Sequence, residues 1–487
     1  MVSLIFRTAM RPSLTGIRQA HAASRHSSFS RFNLDLEKNN SVNVFLAIQI
    51  ADLNKSIDFN NQYSIDYENI HSVYWVMANN NLASAKRQKN DEFYTQFVDI
   101  QKEIEAYLEF DAHTFKGKVV YCNCDDPYES NFFRYFVLNF KKLGLKRLIT
   151  TSYKPSPVAN TQLALFGAEQ YPANPKGRPK ATANQFIINK VHDIDGDGQF
   201  NLNDVAEQLK ANKVNKWAPL AGEGDFRSAE CLALLKQADI VVTNPPFSLF
   251  REYVKQLMEY GKRFAVIGSI NAITYKEIFP LIKDNKLWLG ATGNGNDMVF
   301  AVPNGAAIAE SDRQKAARMG FVGDFTRLGN SCWFTNLDHG RRHRPLALMT
   351  MAENLKFSRH KQIRGKTHYE QYDNYDAIEI PFTDAIPRDY DGVMGVPISF
   401  LDKYNPDQFE ILGLTQRGCH DAVPDTKKYD EYWEVRSDGQ YTGSSGVKTN
   451  ENANLLGNDG KKNYFINSNG RVIQSAYQRI FVKHKGK

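Results

Sequence analysis

Long apolar runs are what this 487-residue sequence most clearly lacks. Its most hydrophobic stretches, residues 238–243 and 264–268 among them, are strand-length. They fall far below the ~18 apolar residues of a membrane span, so a transmembrane helix is excluded. Cysteine is scarce. Cys122, Cys124, Cys231, Cys332 and Cys419 are too few and too scattered for a disulfide scaffold, which implies a reducing compartment. Cys122 and Cys124 have no second pair at zinc-ligand spacing, so no metal is expected. Acids are missing altogether from residues 1–33, which hold five arginines; without that segment the net charge of +7 falls to +2. Nucleic-acid binding must therefore be argued from where basic residues sit, not from bulk charge. What is present, 42% hydrophobic and 12% aromatic residues, excludes a wholly disordered chain and suffices for two or three domains.

In residues 1–33, Leu4, Ile5, Met10, Leu14 and Ile17 recur on one helical face with Arg7, Arg11 and Arg18 off it. A basic, acid-free, amphipathic start is the composition of a mitochondrial presequence, so a matrix location is expected, with a plain basic tail as the alternative. Residues 34–88 read as a helical extension. From residue 89 to 329 the pattern is that of an α/β domain, with short strands at 118–123, 147–152, 240–243 and 263–268 separated by helices at 131–143, 229–237 and 248–260. Such crossings imply a parallel sheet covered on both faces. Residues 154–220 read as an insertion, with 186–191 a candidate edge strand, and 290–305 as loop. Residues 330–487 read as a second, β-containing region in which 437–460 is a loop before a closing hairpin of 464–466 and 476–483.

The sharpest motif is Asn244-Pro245-Pro246-Phe247, directly after the strand at 240–243. The carboxyl edge of an open α/β sheet is where such folds bind ligands. Two prolines fix φ and remove two N–H donors, leaving carbonyls as unopposed acceptors. The Asn244 side-chain oxygen and a prolyl carbonyl can accept both hydrogens of an exocyclic amine, aim its lone pair and disperse the charge that develops on attack. Phe247 offers a flat face for an extruded base. A proline-rich strand terminus is the rival reading.

This motif resembles the amine-gripping loop of methyltransferases that use S-adenosylmethionine. The wider chain resembles the EcoRI-type adenine-specific DNA methyltransferases in NDEFYTQ (90–96), GKVVYCNCDDPYESNFFRYF (117–136), residues 241–253, NAITYKEIFPLIKDNKLWLG (271–290), WFTNLDHGRRHRPL (333–346) and DYDGVMGVPISFLDKYNPDQFEILG (389–413). The resemblance implies a Rossmann-like sheet with a C-terminal target-recognition region, N6 methylation of a flipped adenine, S-adenosylmethionine as cofactor and double-stranded DNA as partner, with no obligate protein partner. It implies cofactor contacts from Tyr94 and Thr95, from Asp125, Asp126, Pro127 and Ser130, and from Asp225 and Phe226. Thr95 as a helix cap, Asp126 or Ser130 as the cap of the 131 helix, and Asp225 as a plain turn are the competing roles. The Gly-x-Gly motif of most such enzymes is replaced by Asp-Pro-x-x-Ser (126–130), and no acid ends the second strand to hold a ribose. RNA adenine, a protein glutamine or an inactive DNA-binding relative are the alternatives.

Arg341, Arg342, Arg344, Arg359, Lys361, Arg364 and Lys366 put seven basic residues into 26 positions, a cluster able to follow a phosphate backbone. His339 and His343 read as surface or phosphate contacts. The Asp193–Asp204 segment departs from a calcium loop by lacking the final Glu and reads as a turn.

Overall fold

Short runs rich in Val and Ile form the centre of the molecule. The computed structural model describes residues 94–486 apart from 125–129, 154–182, 195–199, 212, 293–297, 303–307, 329, 416–428, 430 and 446–451. All of these belong to the unit that follows a division of the chain after Asn80. The expected presequence, the 34–88 extension, and Asp125, Asp126 and Pro127 lie outside the described residues.

Strands β2 (Val119–Cys122), β3 (Arg147–Thr151), β6 (Ile240–Thr243) and β7 (Arg263–Ser269) pair in parallel in the order β3-β2-β6-β7. Their residues alternate between two cores, as a side-chain period of two requires. Val120, Cys122, Ile240 and Val242 meet Ile100, Ile104 and Tyr107 of α1 (Phe97–Phe110) and Phe132, Phe133 and Phe136 of α2 (Asn131–Leu138). Val119, Tyr121, Val241 and Val266 meet Leu234 and Leu235 of α5 (Ala229–Gln237) and Tyr253, Val254 and Leu257 of α6 (Phe250–Glu259). Each such fully buried apolar side chain contributes about 1.5–3 kcal/mol. The expected single helix over 131–143 is two: α2 ends at Asn139, and α3 (Phe140–Leu143) ends at Gly144. A 3-10 turn, Phe247–Leu249, precedes α6.

The margins of this sheet differ from expectation. Beyond β3 come β4 (Asn184–Ile188) and β5 (Lys216–Pro219), and beyond β7 come β11 (Ser331–Thr335) and β8 (Trp288–Leu289), all antiparallel to their neighbours. The strand expected at the edge is therefore second from it. β5, preceded by α4 (Leu202–Ala211), takes the edge; its four residues end in a proline and carry too short a pattern to be read as a strand. β11 sits inside the sheet, so the boundary expected at residue 330 falls within the central layer. The stretch 290–305, expected as loop, holds β9 (Met298–Ala301), which pairs with β1 (Tyr94–Thr95) and β10 (Phe325–Leu328).

The C-terminal strands form two further sheets among the described residues. β12 (Ile378–Glu379), β13 (Met394–Pro397), β20 (Arg479–His484) and β14 (Phe409–Leu414) make one. Its Ile378, Met394, Val396, Phe409, Ile480 and Val482 belong to the same apolar cluster as Phe250, Phe279 and Phe334 of the central layer. A buried pair, Arg479 Nη2 to Glu379 Oε1 at 2.5 Å, ties β20 to β12. The other sheet joins β15 (Trp433–Val435), β16 (Tyr441–Ser445), β17 (Asn454–Leu456), β18 (Tyr464–Ile466) and β19 (Val472–Ser475). The expected hairpin of 464–466 with 476–483 does not form, because β18 pairs with β15 and β19 while β20 joins the first sheet. Within 437–460, expected as loop, β16 and β17 are strands.

The Asp338–Arg344 segment, expected at the DNA surface, divides in two. His339 is 2% exposed, with Nε2 3.0 Å from the Leu289 carbonyl. Arg342 is 7% exposed; its guanidinium stacks 3.7 Å over Trp288 and bonds Asp338 and Asn285. It is a clamp on β8 and leaves the phosphate-binding set, because both terminal nitrogens of its guanidinium are engaged and its surface is covered. Arg341, half-buried, donates to the Ala291 carbonyl at 2.9 Å and pairs with Asp402. From the other side, Glu103 of α1, fully buried, accepts from the backbone N–H groups of Ala291 and Thr292 and from Tyr107. A Cβ on Gly290 would overlap both Glu103 and Trp333, so only glycine lets the chain pass.

Burial holds the His339 imidazole down at about 4, against an ordinary value near 6.5. The folded chain thus keeps His339 neutral where the unfolded chain takes up a proton. Stability from this site is full above pH 6.5 and is lost as pH falls from there towards 4. In urea titrations, the stability advantage of the wild type over His339→Gln should be constant above pH 6.5 and shrink steadily below it; a pH-independent difference would contradict the assignment.

Candidate functional site

β2 leads by way of α2 to β3 on one side, whereas β6 leads by way of α6 to β7 on the other. The chain therefore reverses its direction of travel across the sheet between β2 and β6, and the crevice at their carboxyl ends is the place where doubly wound sheets take ligands. Asn244 follows β6 there and is 7% exposed. Pro245 is buried, and Pro246 and Phe247 are half-buried. The Pro246 carbonyl already accepts the Leu249 N–H at 2.9 Å, opening the 3-10 turn. This makes the Pro245 carbonyl the better placed of the two prolyl acceptors. Phe247 packs against the core on the α1 and α2 side of the sheet.

The cofactor residues gather in part. Asn131, first in α2, donates to the Thr95 carbonyl at 2.8 Å and so draws β1 onto the start of that helix. Ser130 caps α2 through the Phe132 N–H at 3.1 Å, so the capping role holds while the helix N-terminus opens at the carboxyl end of β2. Thr95 is 3% exposed, and its Oγ1 meets no protein partner among the described residues; the Thr150 hydroxyl on β3 is in the same state. Buried hydroxyls in that state suit a bound polar ligand or water. Tyr94 lies beside Thr95 on β1, paired with Ala301 of β9.

The loop that holds Asp225 is pressed onto the end of β3. Gly224 has φ +79°, and a Cβ there would overlap the Ser152 carbonyl, so glycine is required for the approach. Asp225 accepts from Arg227 at 2.7 Å, and Arg227 continues to Glu252 at 2.9 Å. The Arg227 hydrogen bond holds the Asp225 carboxyl below its ordinary range. Phe226, expected beside the adenine ring of the cofactor, is packed into the core at this loop. It is 4% exposed on the α6 side, edge-on to Tyr253 at 5.0 Å, and supports the loop from within.

Three buried residues that the motifs did not single out meet at the carboxyl end of β2. Asn123, at the end of β2, accepts the Thr243 hydroxyl at its carbonyl and the Tyr253 hydroxyl at its Oδ1. A lone Asn after an apolar strand carries no sequence signal, since its partners lie 120 and 130 positions away.

Of the basic cluster, Arg344, Arg359, Lys361, Arg364 and Lys366 are exposed. Arg359 pairs with Asp384 at 2.9 Å and Lys366 with Glu370. Arg341 and Arg344 line a cleft of about 280 Å³ with residues 345–348, Thr383, Asp384 and Lys403. No helix among the described residues is long and apolar enough to cross a membrane.

Comparison with known proteins agrees with this geometry. The family described as "Adenine-specific methyltransferase EcoRI" matches residues 81–485. The chain is 43% identical over 332 residues to the Type II methyltransferase M.EcoRI of Escherichia coli, covering 68% of this chain and 88% of that one. It is 36% identical over 362 residues to the Type II methyltransferase M.MpnI of Mycoplasma pneumoniae, covering 72% and 90%. It is 34% identical over 329 residues to M.MgeORF184P of Mycoplasma genitalium, covering 67% and 84%. No solved structure matches it. With a match of that extent over a crevice of this kind, the chain belongs to the EcoRI family of adenine-specific methyltransferases.

Proposed function

We propose that this chain methylates N6 of an adenine turned out of duplex DNA, using S-adenosylmethionine. The observation that carries the reading is the buried Asn244 followed by two prolines at the point where the sheet reverses direction. In this reading Thr95, Ser130 with the start of α2, and Asp225 hold the cofactor, with Tyr94 beside Thr95 and with Asp125, Asp126 and Pro127, which follow β2 in the sequence. The helix N-terminus suits the carboxylate of the methionine part, and the buried Thr95 hydroxyl suits its polar end. When bound, the cofactor supplies an electrophilic methyl group.

The residues of the loop act on the amine. Asn244 Oδ1 and the Pro245 carbonyl accept its two hydrogens, which turns the lone pair away from the ring plane and towards the donor. The same acceptors stabilise the positive charge that develops on nitrogen. No base is needed before attack, because the amine is neutral; the proton leaves afterwards. Phe247 stacks on the flipped base, which pays back part of the cost of unstacking. Asn244→Ala should lower methyl transfer to duplex DNA by more than about 100-fold while S-adenosylmethionine binding survives. Labelled-methyl incorporation and equilibrium binding would test this; turnover like wild type would defeat the reading.

Arg344, Arg359, Lys361, Arg364 and Lys366 are proposed to follow the DNA backbone, with Arg341 positioned by Asp402 at their margin. Lys361→Ala or Arg364→Ala should each reduce the slope of log affinity against log salt by about one without changing the preferred sequence. An unaltered slope in both would remove them from the interface.

Residues 1–33 lie ahead of the family match, and the relatives compared are bacterial. Mitochondrial import is therefore supported by the basic, acid-free composition alone. Fusion of residues 1–33 to a reporter should direct it to isolated mitochondria in a potential-dependent manner, and a reporter that stays outside would discard the import proposal.

A further inference from the structure

We propose that Thr243 and Tyr253 are positioning residues that fix the gap between methyl donor and amine by clasping the end of β2 at Asn123. The inference rests on the reading of residues 244–247 as the amine-gripping loop.

The ladder between β2 and β6 pairs Val120 with Ile240 and Tyr121 with Val241, and goes no further. Carried forward, that register sets Asn123 beside Thr243, one residue before Asn244. In the proposed function, the strand end at Asn123 belongs to the cofactor side and the strand end at Thr243 to the amine side. Backbone pairing thus stops short of the place where their separation matters.

Side chains close this interval. Thr243 Oγ1 donates to the Asn123 carbonyl, and Tyr253 of α6 donates its hydroxyl to Asn123 Oδ1. Asn123 is 3% exposed, and Thr243 and Tyr253 are fully buried, so water cannot replace either donor and a lost one leaves its acceptor unsatisfied. Tyr253 also bears on Phe226, and through it on the Asp225 loop. One polar knot therefore ties the strand end on the cofactor side, the strand end on the amine side and the intervening loop. Neither hydroxyl belongs to the groups proposed to grip base or cofactor. Loss of either should shift the two strand ends relative to each other while leaving each binding surface in place, and misplacement by about 1 Å can cost a reaction about 100-fold.

The test is steady-state and single-turnover methylation of duplex DNA by the full-length chain with Thr243→Val, Thr243→Ser and Tyr253→Phe, each checked by thermal melting. Expected for Thr243→Val and Tyr253→Phe is a loss of roughly 10- to 100-fold in kcat and in the single-turnover rate, with KM for DNA and for S-adenosylmethionine within about twofold of wild type. Thr243→Ser keeps the hydroxyl and should recover most of the rate. Wild-type kcat in both deletions overturns the proposal. So does Thr243→Ser being as slow as Thr243→Val, because a variant that keeps the hydroxyl would then do no better than one that lacks it. If Thr243→Val does not fold, Tyr253→Phe decides alone. Asn244→Ala run alongside separates the two readings: its full activity would sink the amine loop itself, whereas an inactive Asn244→Ala beside unaffected clasp variants would sink only the clasp.

Discussion

Parallel strands whose connections depart to opposite sides cannot seal the space above their carboxyl ends with more backbone pairing. In this protein that constraint acts on β2 and β6, and much of the site's architecture follows from it. The crevice exists because the connections diverge. Its floor is set by where the shared ladder ends, with Asn123 after one strand and Asn244 after the other. The proline pair stiffens the Asn244 side by removing backbone freedom. The other is steadied by the start of α2, which Ser130 caps and Asn131 fastens to Thr95.

The central strands and the helix at 229–237 were legible in the sequence because each is a local pattern: an apolar run of strand length, or a helical face between turn residues. The amine loop was legible for a similar reason, since four consecutive residues carry its chemistry. β5 and β9 were not: Lys216–Pro219 is no apolar run and ends in a proline, and Met298–Ala301 lies in a glycine-studded stretch that reads as loop. The place of β11 was hidden too. A run of five buried residues says that a strand is enclosed, but nothing in Ser331–Thr335 says that it lies antiparallel between β7 and β8. Asn123 escaped notice because its meaning lies wholly in the distant hydroxyls that reach it.

The basic cluster shows how far charge alone can mislead. Arg341, Arg342 and Arg344 are nearly consecutive, yet one is half-buried against Asp402 and Ala291, one is stacked on Trp288 and covered, and one is exposed. What separates them is the company each finds after folding. Phe226 gives the apolar counterpart. Placed beside Asp225 in the sequence, it turns to the opposite side and serves the loop as a buttress.

The apolar cluster that runs unbroken from Phe250 and Phe334 into Met394, Val396 and Ile480 has a bearing on how such an enzyme diversifies. A chain cut near residue 330 would bare that core on both fragments and take from the main layer the strand that joins β7 to β8. The C-terminal region is therefore no separable module: exchanging it for a relative's would mean rebuilding the interior that it shares with the central sheet.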